Sequence, residues 1–130
     1  VIYFFLFNTP YEHTPNPWSL GFLSSPDYDI EYVNLYIRFG DIFDAPPATY
    51  AHEILHDFGA PDLYYVDTGI PQEFVDYCSQ TGCNDIMFTV NAGETIDNDF
   101  TPIDAYYVGI GARPAEADEW GLGPSEYDAN

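Results

Sequence analysis

Apolar and polar positions change rhythm several times along the chain. Residues 1–7, VIYFFLF, are apolar without a break, which predicts a central strand covered on both faces. Residues 31–39 alternate instead, with Val33, Leu35, Ile37 and Phe39 on one side and Tyr32, Asn34, Tyr36 and Arg38 on the other, the pattern of a half-exposed strand. Between them, residues 8–29 carry Pro10, Pro15, Pro17 and Pro26 and predict a long loop. Over residues 48–58 the period becomes helical: Ala51, Ile54, Leu55 and Phe58 form a core-facing stripe, and Thr49, His52, Glu53 and His56 gather on roughly the opposite side. Asp44 is the expected cap, Pro46 or Pro47 suits the first turn, and Gly59 ends the helix.

No sustained period runs through residues 60–85, which Pro61, Gly69, Pro71 and Gly82 interrupt. Residues 102–110 predict a second helix, capped by Thr101 with Asp104 three residues on. Residues 112–130 read as a loosely attached acidic tail. No repeat or internal boundary is visible, so residues 1–130 are taken as a single domain. The apolar start lacks a basic flank and a cleavage site, as expected of a chain that begins inside a fold.

Composition narrows the choice of partner. Hydrophobic residues make up 46% of the chain and aromatics 18%, enough for a packed core despite the acidity. Against 22 Asp and Glu stand only Arg38 and Arg113, for a formal charge of -20. Such a surface repels phosphate backbones and anionic lipid, so nucleic acid is not expected as a partner, and no apolar run is long enough for membrane insertion. Cations and basic peptides are the better match. The acidity suits a hydrated exported protein, with substrate steering as the alternative.

The polar face of the first helix carries the chemistry. His52 and His56 stand at i and i+4, so both imidazoles can reach one ion at the usual Zn–N distance of about 2.0–2.1 Å. Glu53 edges onto the same face, placed to touch a metal-bound water without being a ligand. Past Gly59 the chain can turn back and offer Asp62 as a third ligand; three protein ligands with an open position are the catalytic pattern for zinc.

At this point the sequence resembles a known group. His52-Glu53-x-x-His56-x-x-Gly59-x-x-Asp62 is similar to the extended zinc signature of the metzincin clan of metallopeptidases, in the variant with aspartate as third ligand. Snapalysin-like proteases carry that aspartate, and HDFGAPDLYY resembles the wording of the immune inhibitor A type peptidases. NDIMFTV around Met87, the one methionine, is similar to the clan's methionine turn, and TPIDAYYVGIG to the helix that follows it.

The resemblance implies an α+β fold: a twisted, mostly parallel sheet, an active-site helix and a C-terminal helix after the Met-turn. It also implies a secreted or extracellular zinc endopeptidase acting on peptide or protein substrates, with His52, His56 and Asp62 holding Zn2+, Glu53 as general base and Met87 supporting the site. The strand at residues 31–39 would form the rim of the cleft, where an extended substrate adds as a strand. Two departures stand out. Thr89 occupies the position where some metzincins have a tyrosine, and no helix precedes residue 31, so part of the N-terminal subdomain is expected to be missing. That second departure motivates an alternative, a zinc-binding module with weak or no turnover. A thermolysin-like arrangement needs a glutamate ligand from a later helix, and residues 102–110 contain none.

Weaker signals complete the reading. Cys78 and Cys83 are expected to form a disulfide, with free thiols as the alternative. His13 is expected to be a loop histidine, and Asp97 and Asp99 to lie in a solvated loop that lacks the oxygens calcium requires. Asp57 either holds a ligating histidine or faces solvent, and Tyr64 or Tyr65 either bonds an oxyanion or packs on the helix end.

Overall fold

The computed structural model describes residues 2–10, 19–20, 31–37, 46–67 and 69–129. Strand β1 spans Ile2–Pro10, β2 Ser19–Leu20 and β3 Glu31–Ile37. β1 and β3 pair in parallel from Ile2 against Glu31 to Phe7 against Tyr36, with an irregularity before Pro10 meets Ile37. A parallel pair needs a crossover of a dozen or more residues, and the chain between these strands is long enough to provide it. β2 pairs antiparallel with β3 at Val33 and Tyr32 only.

The strand order β1-β3-β2 differs from the expectation. Among the described residues the alternating strand is the middle one and the unbroken apolar strand lies at the edge. Apolar content reports how the faces of a strand are covered, and says nothing of how many hydrogen-bonded neighbours it has. The rim assigned to residues 31–39 is therefore occupied along one side by β1 and in part along the other by β2. Residues 8–10, expected in the loop, belong to β1. His13, Asp44 and residues 38–39 lie outside the described residues.

Helix α1, Pro47–Asp57, lies against β2 and β3. Pro46 takes the N-cap position without a side-chain cap, and Pro47 opens the helix, where a missing N–H costs nothing. The C-terminal end is a Schellman turn: Ala60 N–H donates to Leu55 O at 3.0 Å and Gly59 N–H to His56 O at 2.9 Å, with Gly59 at φ 93°.

Burial on α1 inverts the expected faces. Ala48, His52, Glu53 and Asp57 are buried, whereas Phe58 is exposed. Ala51 and Leu55 do pack against the core cluster, so the helix is covered on more than one side and its polar face is enclosed too.

Helix α2, Gln72–Thr81, arises where the sequence shows no sustained period. Pro71 precedes it, Gly82 ends it in the left-handed region at φ 67°, and Phe74, Val75 and Cys78 are its buried stripe. Helix α3, Pro102–Tyr107, carries the anticipated capping box between Thr101 and Asp104 but stops short, at Val108. Helix α4, Ala115–Glu119, and a 3-10 turn, Glu126–Ala129, follow.

Of the tail expected at residues 112–130, the described part is built into the core instead. Ala117 and Leu122 are buried with Leu63, Ile70, Phe74, Met87, Tyr106 and Tyr107, and Trp120 lies 4.7 Å from the ring of Tyr77. Arg113 ties the segment down, donating from Nη1 to Tyr106 Oη at 2.7 Å and from Nη2 to Leu122 O at 2.7 Å. Acidic composition concealed these few apolar anchors. Gly123 N–H also donates to Gly69 O at 2.8 Å, an approach so close that a Cβ at position 123 would sit 2.9 Å from Gly69 Cα.

Candidate metal centre

Three ligand atoms from two adjacent pieces of chain meet at one point. The helical spacing puts the two imidazoles side by side, with Nε2 of His52 and Nε2 of His56 3.1 Å apart. The Schellman turn sends the chain back over the end of α1, and Asp62 Oδ1 arrives 3.2 Å from His52 Nε2 and 3.0 Å from His56 Nε2. A tetrahedral ion with bonds of about 2.0–2.1 Å separates its ligands by about 3.3 Å, so this near-equilateral triangle has the size that zinc requires.

The hydrogen bonds behind the imidazoles decide what the triangle can hold. His52 Nδ1 lies 2.8 Å from Ile86 O, and His56 Nδ1 2.7 Å from Ala60 O. A carbonyl only accepts, so both rings carry their proton on Nδ1 and turn the Nε2 lone pair inward. Asp62 Oδ1, buried between them, has no hydrogen-bond donor. Three lone pairs facing each other at this range repel unless a cation lies between them. Two neutral imidazoles with one carboxylate suit a borderline dication such as zinc, and are a poor set for calcium or magnesium. Among the described residues this is the one group of three such side chains, and Asp97 and Asp99 join no second one.

The ionisation of these groups in the metal-free chain carries the same strain. Burial alone would lower the pKa of His56, but the contact with Asp62 outweighs it and the net shift is upward. Burial pushes Asp62 up, and a proton taken up on the facing Nε2 side of the imidazoles more than reverses this, holding its carboxyl well below the usual carboxylate range. A proton is the cluster's substitute for a metal cation.

Around the triangle, Glu53 is buried beside His52, and its negative charge acts on both His56 and Tyr64. Asp57 is fully buried, which removes the solvent-facing alternative. The ring of Tyr64 stacks on His52 at 6.4 Å and 28°; burial, followed by the charge of Asp62, raises the pKa of its phenol, which stays protonated. Tyr65 leans on Tyr64 at 5.5 Å.

Beneath the site, Met87 is fully buried in a turn whose carbonyls do the holding. Ile86 O accepts from His52, and Met87 O accepts Leu63 N–H at 2.9 Å, next to Asp62. No side-chain pattern announces such carbonyls, and the sequence reading missed Ile86 and Ala60 for that reason.

Cys78 and Cys83 are not bridged; both are thiols. Burial, then the neighbouring Cys83, pushes the Cys78 thiol up to about 12, which makes it unreactive.

Comparison with protein-family models, curated proteins and solved structures found no match.

Proposed function

We propose that the chain is a zinc-dependent endopeptidase with a metzincin-like fold, in which His52, His56 and Asp62 hold the ion and Glu53 is the general base. One observation carries the reading: three inward lone pairs at 3.0–3.2 Å, two of them fixed in direction by backbone carbonyls. A zinc ion in this position supplies a Lewis acid for a carbonyl oxygen and acidifies a water molecule. Glu53 takes a proton from the attacking water and returns it to the departing amine, which splits a peptide bond without a covalent intermediate. Tyr64, a phenol beside the triangle, hydrogen-bonds Asp62 and so steadies that carboxylate.

The parallel pairing of β1 and β3, the chain reversal at Gly59 and the Met87 turn below the ligands support the metzincin-like fold. The substrate is a peptide or protein segment, and the acidity of the chain suits work outside the cell.

The test is the Glu53→Gln variant, with zinc content and cleavage of a quenched peptide measured on the same sample. Full zinc with a 10²–10⁴-fold loss of turnover is expected, the usual worth of a general base. Full zinc with undiminished, chelator-sensitive cleavage would reject Glu53 as the base. Wild-type protein that takes up zinc but cleaves nothing would point to the binding module instead.

A further inference from the structure

A second buried acidic group lies on the far side of the Met87 turn. Asp85 and Asp104 are 3% and 1% exposed, and their carboxyl groups converge on one residue, Thr101. Every other oxygen in the pair has a donor. Asp85 Oδ1 accepts Met87 N–H at 2.7 Å, Asp85 Oδ2 accepts the Thr101 hydroxyl at 2.7 Å, and Asp104 Oδ2 accepts Thr101 N–H at 3.0 Å. Asp104 Oδ1 is buried and has none. Two ionised carboxylates repel, so they can lie together out of water only with a proton between them.

The pair is tied to the metal centre through backbone. Asp85 builds the turn: besides the Met87 bond, its carbonyl accepts Phe88 N–H at 3.0 Å and Thr89 N–H at 2.9 Å. The next carbonyl, Ile86 O, fixes the tautomer and direction of His52, and the one after, Met87 O, holds Leu63 beside Asp62. Asp104, as the capping-box residue of α3, anchors the whole assembly to that helix.

We propose that Asp85 and Asp104 share one proton and, through the turn that Asp85 holds, act as positioning residues for His52, so that the metal centre is assembled while the proton is present and loosens when it leaves. The part concerning the metal rests on the assignment of His52, His56 and Asp62 as ligands. The proton sits on Asp104: burial works against the charge on both carboxyls, but Asp85 accepts two hydrogen bonds, from Met87 N–H and the Thr101 hydroxyl, and Asp104 only one. Burial, then the charge of Asp85, pushes the Asp104 carboxyl up to about 7. The groups facing the pair are Thr101 from the start of α3, the Met87 and Phe88 amides from the turn, and Cys78 from α2, whose thiol responds to the charge of Asp85.

The sign is fixed. A folded-state pKa above the unfolded value of about 3.9 gives a contribution that is complete below pH 4 and is lost as pH rises through about 7.

The experiment compares full-length wild type with Asp104→Asn, which keeps the shape and offers a permanent N–H donor. In the metal-free proteins, the wild-type unfolding equilibrium constant should rise by nearly tenfold per pH unit relative to the variant until pH approaches 7, about 50-fold from pH 5 to 7. In a competition assay with a chelating dye, zinc affinity of the wild type should fall relative to the variant between pH 6 and 8. If Asp104→Asn does not fold, Asp85→Asn serves, since a shared proton predicts the same flattening from either side. Parallel unfolding curves would overturn the shared proton; altered unfolding with parallel zinc curves would overturn the link to His52. A chain that takes up no zinc would reject the ligand assignment, with the unfolding curves still deciding the proton.

Discussion

Replacing Met87 separates two jobs that one residue does. Its side chain is completely buried in the core, and its backbone N–H and C=O fix the turn to Asp85 and Leu63 at 2.7 and 2.9 Å. Only the side chain changes on substitution, so stability should suffer and the metal site should not. Met87→Leu nearly conserves volume and should cost less than about 1.5 kcal/mol. Met87→Ala leaves a cavity beneath the ligands and should cost about 2–5 kcal/mol. For a domain of this size each kcal/mol moves the melting temperature by roughly 3–5 °C, so the alanine variant should melt on the order of 10 °C or more below wild type and the leucine variant within about 7 °C. Thermal unfolding by circular dichroism in chelator gives the first number, and metal analysis after zinc reconstitution at 20 °C gives the second. The reasoning fails if folded Met87→Leu protein no longer holds zinc, because the thioether itself would then be shaping the site.

Two other substitutions probe neighbouring parts of the structure. Asp62→Ala should weaken zinc binding by more than the 10–100-fold typical of residues that only orient a ligand, measured by dye competition; a smaller loss would mean that another carboxylate completes the triangle. Arg113→Met, which keeps the apolar stem and removes the donors to Tyr106 and Leu122, should cost about 1.5–3 kcal/mol in urea unfolding, and an unchanged midpoint would show that residues 112–130 contribute nothing to the core.

What could be read from the sequence depended on range. The convergence of His52, His56 and Asp62 was legible because one helical turn and one glycine reversal fix it, with all three inside eleven residues. The capping box at Thr101 was legible for the same reason. The strand order was not, since it is set by pairing between distant segments. Helix α2 escaped notice because only Phe74, Val75 and Cys78 are apolar and buried among Gln, Glu, Asp and Ser, too short a stripe to establish a period. Asp104 was legible as a cap, yet nothing local relates it to Asp85, nineteen positions earlier. The enclosed polar face of α1 broke the usual rule that polarity marks the solvent side, and it did so where the proposed ligands stand.

Mechanically, residues 60–67 and 69–70 belong to a strap held at both ends. At one end the Schellman turn pins Ala60 to Leu55, and at the other the backbone of Gly69 is stitched to Gly123. Asp62 rides near the first anchor, with Leu63 pegged to the turn below it. A strap clamped at one end swings, but one clamped at both ends can only bow, and the peg at Leu63 removes most of that freedom too. Asp62, the proposed third ligand, is thus flanked by backbone hydrogen bonds at Ala60 and Leu63, although it stands on a loop. The two glycines set the tension: any side chain at Gly123 would press on Gly69 and slacken the strap at its far anchor.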